Sequence, residues 1–447
     1  MKRFLILFVL LQLSYVSMSQ HILPQRERAQ AVNTILKDKL DNLLPKLMDD
    51  TGFDMWIIIS REYNEDPILK TMLPATWLNA RRRTILVFYR DKENNTLEKL
   101  AIARYNFGEN IISAWDKESE PNQWKRLVEI IEERDPEVIG LNFSKHFNIC
   151  DGIVKTDYEE FIDHLSENYK SKVKSAEKLG IAWIETRTEA EMILYNQLVS
   201  ITHNIIAEAF SENVITPGIT TTTDVEWWMR DKVTALGLET WFHPSVDVQR
   251  SAEQLGNHLY AFSDRPEDMV IRPGDLLHCD FGITYLRLNT DCQQLAYVLK
   301  PGETQPPDFL ISALRDGNRV QDIFTQNFKT STTGNTILKQ SLLDAKNEGL
   351  KPSIYTHPLG LYGHSSGTTL GMWDAQDGVP VNGDYPLHEN TVYAIELNTT
   401  VTLPQWQRDI RIMLEEAGFW GKEGFRYVNG RQTKLLTIPR LNKHTDH

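Results

Sequence analysis

Four acids and one imidazole stand where their neighbours predict burial. Asp280 lies in Leu276-Leu277-His278-Cys279-Asp280-Phe281-Gly282 and Asp291 in Asn289-Thr290-Asp291-Cys292-Gln293, both strand-like surroundings. Carboxylates are rarely buried unless paired or bound to metal. An antiparallel hairpin about Thr284–Asn289 would set the two aspartates opposite each other, able to clasp one cation jointly. Taken alone, the pair is equally compatible with two satisfied loop aspartates. Glu396, in Tyr393-Ala394-Ile395-Glu396-Leu397, and Glu415, after Ile412-Met413-Leu414, add two acids with no Lys or Arg beside them. His357 supplies the imidazole. So many buried negative charges would repel one another unless cations neutralised them, and two divalent ions would do so. Oxygen-rich ligation with one His and no Cys suits Mn²⁺, Co²⁺ or Zn²⁺.

The order and spacing of these strings resemble the creatinase/prolidase group of metallopeptidases, which includes Xaa-Pro aminopeptidases, prolidases and methionine aminopeptidases. Asp280, Gly282 and Asp291 meet that family's Asp-x-Gly followed by a second Asp eleven residues after the first. His357-Pro358-Leu359-Gly360-Leu361-Tyr362-Gly363-His364 meets its His-x-Leu-Gly-Leu-x-x-His, Ile395-Glu396 its Ile-Glu, and Ile412 to Glu416 its closing Ile-x-Ile-Glu-Asp. The resemblance implies an α+β fold, with a pita-bread catalytic domain over residues 182–440 and a smaller α/β creatinase-type N-terminal domain over residues 20–181. It implies two divalent cations, manganese first with cobalt or zinc as alternatives. Asp280 would hold one, His357 and Glu396 the other, and Asp291 and Glu415 would bridge both. Cations so held activate water and polarise a scissile carbonyl. Glu396 would double as general base, while His364 and His258 would steady the substrate and its tetrahedral intermediate. The implied reaction is peptide-bond hydrolysis near an N-terminus by an aminopeptidase or dipeptidase, with Xaa-Pro bonds the first candidate and a homodimer the expected assembly.

The chain departs from the proline-specific members at three places. Ser353 stands where they carry a His four residues before the ligand His, Met413 where they carry an Arg two before the last Glu, and Leu397-Asn398 follow Glu396 where they read Glu-Pro-Gly. The five candidate ligands are untouched, so these departures bear on specificity. A register following Ile410-Arg411-Ile412 would put Met413 in the place of the last ligand; hydrophobicity and the trailing acid favour Glu415. The alternative function is a non-peptidase or inactive creatinase-like protein on the same fold. Gly363-His364-Ser365-Ser366-Gly367 also matches the nucleophile elbow of serine hydrolases. That motif needs a strand before it and a helix after it, which Pro358, Gly360 and Gly363 on one side and Thr368-Thr369-Leu370-Gly371 on the other do not supply.

Positioning such a site requires a strand-rich second half, and apolar runs at Leu276–Ile283, Gln294–Leu299, Val392–Leu397 and Ile410–Leu414 provide one. Two helices lead into it. Thr188 with Glu191 reads as a capping box opening a helix whose Leu194, Leu198, Ile201, Ile205 and Ala209 form one stripe. Thr223 with Glu226 reads as the cap of the next, which Gly237 stops. Upstream, apolar runs at Met55–Ile59, Thr84–Tyr89, Leu100–Tyr105 and Val138–Phe143 alternate with helical stretches such as Gln123–Ile131 and Tyr158–Leu165, one α/β domain with no glycine-rich phosphate loop.

Hydrophobic residues make up 41% and charged residues 24% of the 447, which excludes a disordered or low-complexity chain. The net charge of −13 disfavours nucleic acid and anionic lipid as partners. Residues 1–19, basic at Lys2 and Arg3, apolar from Phe4 to Leu11 and closing on Ser17-Met18-Ser19, read as a cleavable signal peptide. The expected protein is therefore secreted or periplasmic, free of the membrane after cleavage, and acts on peptides. Three cysteines are too few for a disulfide scaffold. Since 279 + 292 equals 280 + 291, the assumed hairpin register would also place Cys279 opposite Cys292, close enough to allow a disulfide.

Overall fold

The computed structural model describes residues 22–251 and 268–441. The expected signal peptide and His258 lie outside the described residues. The first sheet is built from β1 (Met55–Arg61), β2 (Arg83–Asp91), β3 (Thr96–Ile102), β4 (Ile112–Ser113), β5 (Ile139–Leu141) and β6 (Val173–Ser175), in the order β4-β3-β2-β1-β5-β6. β1 runs antiparallel to β2 and parallel to β5. Side chains alternate between faces along a strand, so Trp56, Ile58, Leu86 and Phe88 join one core while Met55, Ile57, Ile59, Ile85 and Val87 join another. Leu36, Leu40, Leu44 and Met48 of the N-terminal helices cover the first face, and Trp124, Leu127, Ile131 and Phe161 cover the second. Helix Glu177–Glu185 packs Leu179, Ile181, Trp183 and Ile184 into the first core, so position 182 falls inside a helix.

Thr188 and Glu191 do form the expected capping box, opening helix Glu189–Ala209. The next helix, Thr222–Ala235, is capped by Thr221 with Asp224, not by Thr223 with Glu226. The run Thr221-Thr222-Thr223 offers competing registers, and the Glu226 carboxylate is engaged elsewhere, accepting from Val246 N–H at 2.9 Å.

Beyond these helices the strands are β7 (Ser245–Gln249), β8 (Leu276–Phe281), β9 (Thr284–Tyr285), β10 (Leu288–Asn289), β11 (Cys292–Val298), β12 (Pro352–Ile354), β13 (His357–Leu359), β14 (Thr391–Ala394), β15 (Leu397–Leu403), β16 (Arg408–Leu414), β17 (Ala417–Gly421), β18 (Gly424–Tyr427) and β19 (Leu436–Ile438). They form sheets β19-β11-β8-β7, β12-β15-β16 and β13-β14-β17-β18, with β9 and β10 as a separate ribbon. The expected single strand Val392–Leu397 is two strands: β14 belongs to one sheet and β15 to another, and the chain crosses between them at Ile395-Glu396. The chain crosses between the same two sheets at Tyr355-Thr356 and at Glu415-Glu416. Other partners replace the ladder there, with Tyr355 N–H donating to Glu396 O at 3.1 Å, Ile395 N–H to Glu416 O at 2.9 Å, and Glu396 N–H to the Thr356 hydroxyl at 3.1 Å.

The hairpin register also differs from expectation. Gln293 pairs with Asp280 and Gln294 with Cys279. Leu286 and Arg287, both at positive φ, make the two-residue turn that sets this register two positions away from the assumed one. Cys279 and Cys292 are consequently not opposed, and both are free thiols.

Thr356 is fully buried, so replacing it with isosteric Val would strip the Glu396 amide of its acceptor. Thr356→Val is expected to lose about 1–3 kcal/mol of stability by urea denaturation.

Candidate metal centre

Each candidate ligand that the structure describes stands at or next to a strand end. Asp280 is near the end of β8 and Asp291 precedes β11, while His357 opens β13 just after one crossing and Glu396 and Glu415 stand in the other two. Helix Glu189–Ala209 fixes the approach to Asp291, because the Tyr195 hydroxyl donates to Asn289 O at 2.5 Å and Thr202 and Thr290 share a hydroxyl contact of 2.7 Å. Gly282 lets the strand end close over this point. A Cβ there would come within 2.2 Å of Thr290 O and 2.5 Å of the Trp241 indole nitrogen.

The five side chains converge. Asp280, Asp291 and Glu415 present ligand atoms all within 4.8 Å of one another, and so do His357, Glu396 and Glu415. Glu415 thus belongs to both groups. Asp291, His357 and His364 form a further overlapping set. His357 Nε2 lies 3.8 Å from both Asp291 Oδ2 and Glu415 Oε1. Its Nδ1 faces the Pro358 carbonyl at 3.0 Å, so Nδ1 carries the hydrogen and Nε2 offers a lone pair to the site. Burial, and then His364, push the His357 imidazole down to about 4, leaving it neutral at pH 7. His364 is exposed, its ring edge-to-face with His357 at 4.8 Å and with Trp241 at 5.2 Å. Met413 sits opposite Asn398, while Glu415 is the residue that joins the acids. The trailing acid, Glu416, turns away to His203 Nε2 at 2.6 Å, Gln294 Nε2 at 3.1 Å and Gln432 N–H at 3.1 Å.

Residues 194–418 match the model of metallopeptidase family M24, about half of the chain. The chain belongs to that family. Its fold is similar to that of the X-Pro aminopeptidase of Thermotoga maritima, at 16% identity over 88% of this chain and 100% of that one, with a TM-score of 0.62. The same fold appears in a dipeptidase from Mycobacterium ulcerans, at 14% identity over 92% and 99% of the two chains with a TM-score of 0.58. The prolidase of Pyrococcus furiosus matches at 16% identity over 87% and 99%, with a TM-score of 0.52. Comparison with curated proteins gives no match. The M24 chain is thus α+β, a pita-bread domain following a smaller N-terminal domain, as the sequence motifs implied.

The donor set suits the metal dependence of an M24 member. His357 Nε2 and Glu415 Oε1 are buried with no hydrogen-bond partner, 3.8 Å apart. Burial first, and then neighbouring acids, push the Asp291, Glu396 and Glu415 carboxyls well above their ordinary range. Acids that resist ionising together are the electrostatic signature of a place meant for cations. The three departures from the proline-specific pattern form one row beside it, Ser353 opposite Asn398 and Asn398 opposite Met413.

Sequence reasoning missed Gln293, whose amide Nε2 donates to Glu396 Oε1 at 2.6 Å and Glu415 Oε2 at 2.9 Å. A signal existed: Gln293 is two residues after Asp291, and strand alternation puts both on one face. It also missed Trp241, whose indole N–H donates to Thr290 O at 2.8 Å.

Folded-state carboxyls with raised pKa values stabilise the metal-free protein below the ordinary carboxylate range, and that stability is lost as pH climbs toward the raised values. With chelator present, the melting temperature should fall as the pH rises above the ordinary carboxylate range. Mn²⁺ should restore it at the upper pH by mass action, by about 2.7 kcal/mol at a hundredfold excess over Kd. Calorimetric scans with EDTA and with MnCl₂ check both; a melting point indifferent to Mn²⁺ would contradict a cation site.

Proposed function

We propose that the chain is a dinuclear-metal exopeptidase that hydrolyses peptide bonds near an N-terminus, with Xaa-Pro peptides the first substrates to try. The observation that carries this reading is the membership of Glu415 in two ligand groups, one with Asp280 and Asp291 and one with His357 and Glu396. Asp280 would hold one cation and His357 with Glu396 the other, while Asp291 and Glu415 would bridge. Mn²⁺ is the first choice of metal, with Co²⁺ or Zn²⁺ also compatible with these donors. When bound, such ions polarise a scissile carbonyl and make water nucleophilic at neutral pH.

The protein's own groups supply the rest. Glu396 would accept the proton of the attacking water at its carboxylate. The exposed edge of His364 stands at the rim, where it would orient the substrate carbonyl and donate to the oxygen that gains charge. Trp241 packs edge-to-face against His364 there. The sheet row Ser353–Asn398–Met413 carries no charged side chain, which supports broader acceptance after the scissile bond than a strictly proline-selective site would allow. The leader-like residues 1–19 support secretion or a periplasmic location, and the resemblance supports a homodimer.

The test is a metal titration of apoprotein against paired Xaa-Pro and Xaa-Ala peptides. Hydrolysis should require metal, and Glu396→Gln should lower kcat by at least ~10²-fold with the fold preserved by circular dichroism. Full activity in chelator, or an unimpaired Glu396→Gln variant, would defeat the proposal.

A further inference from the structure

Gln293 occupies a position that the expected ligands do not explain. The chain around it is pinned to Glu415 in both directions, Gln293 N–H donating to Glu415 O at 3.0 Å and Glu415 N–H to Gln293 O at 3.3 Å. Its side-chain amide then reaches two candidate ligands at once, at 2.6 Å to Glu396 Oε1 and 2.9 Å to Glu415 Oε2. Two carboxylates need donors, so they fix the amide with its NH₂ toward them. The amide oxygen must face the other way, and it meets His278 Nε2 at 2.9 Å, where the ring nitrogen is the donor. His278 is buried, paired across the strands with Asp247, and its Nδ1 lies 3.2 Å from Asp247 Oδ2. A polar row therefore runs from β7 through β8 to β11 and ends on two glutamates.

The chemistry of the amide suits this place. It engages one oxygen of each glutamate and leaves the other; the remaining Glu415 oxygen, Oε1, is unpartnered and faces His357 Nε2 at 3.8 Å. A glutamate side chain loses rotamer freedom on ordering, and a prior hydrogen bond removes part of that freedom before any cation arrives. Gln293 is also neutral. A Lys or Arg here would satisfy the same oxygens and cancel the charge on which cation binding depends, whereas an amide orders the acids and leaves their charge intact.

We propose that Gln293 is a positioning residue of the cation centre, its amide locking Glu396 and Glu415 in the rotamers that present their remaining oxygens to metal, with His278 and Asp247 holding the amide in turn. This rests on the dinuclear reading above. The test is a calorimetric titration of chelator-stripped full-length protein with MnCl₂. Gln293→Met keeps the length and removes the donors; its Mn²⁺ affinity should fall roughly 10–100-fold. At saturating Mn²⁺, its kcat should fall with little change in peptide KM. Gln294→Met, whose native amide reaches Glu416 rather than a candidate ligand, should keep wild-type affinity. Should Gln293→Met fail to fold, Gln293→Asn, too short to reach both glutamates, should show the same weakening. A folded Gln293 variant with unchanged Mn²⁺ affinity overturns the proposal. A wild-type protein that takes up no Mn²⁺ overturns the metal reading itself, and this role with it.

Discussion

Mutual repulsion among the acids gathered at Glu415 is the constraint around which the second half of the chain is arranged. Asp291 and Glu415 are almost fully buried, and among the described residues the basic group within reach of both is His357, 3.8 Å from each and kept neutral by its own burial. The Gln293 amide is a neutral donor to the carboxylates of Glu415 and Glu396, while the Thr356 hydroxyl serves the backbone amide and carbonyl of Glu396. Neutral donors relieve desolvation without cancelling charge. The excess negative charge is thereby preserved for a ligand of opposite sign.

The fold brings the acids together by making strands change sheets. At Tyr355-Thr356, Ile395-Glu396 and Glu415-Glu416 the chain leaves one sheet for another, and at each crossing the regular ladder lapses. Glu396 and Glu415 stand at two of these crossings, and there they come together with His357. Thr356 and the backbone of Glu416 take up amides that the lapse would otherwise orphan. The loop that carries His364 is tied to the N-terminal domain through the Tyr362 hydroxyl, which donates to Pro67 O at 2.8 Å. The first domain therefore reaches the loop that carries His364, and among its described residues it contributes no acid to the ligand groups.

What the sequence revealed and what it concealed divide along physical lines. The capping box at Thr188, the apolar strand runs and the order of the five candidate ligands were legible because each depends on local chemistry or spacing. The crossing at Glu396 was not, since the apolar residues Val392 to Ile395 and Leu397 on either side of it are buried and read as one continuous strand. The hairpin register was hidden in the turn: Leu286 and Arg287 adopt left-handed backbone that neither residue type advertises. Gln293 escaped notice because an amide among apolar neighbours looks like an ordinary satisfied core polar group until its two glutamate partners are in view.

The crossings also bear on how the molecule is made. The acids that converge are spread from Asp280 to Glu415, and Glu415, just after β16, is the last of them to be made. On the ribosome, an emerging polypeptide would hold Asp280 and Asp291 long before Glu396 and Glu415 exist. The ligand set therefore stays incomplete until the segment carrying Glu415 has been made, and hydrolytic power cannot precede that step.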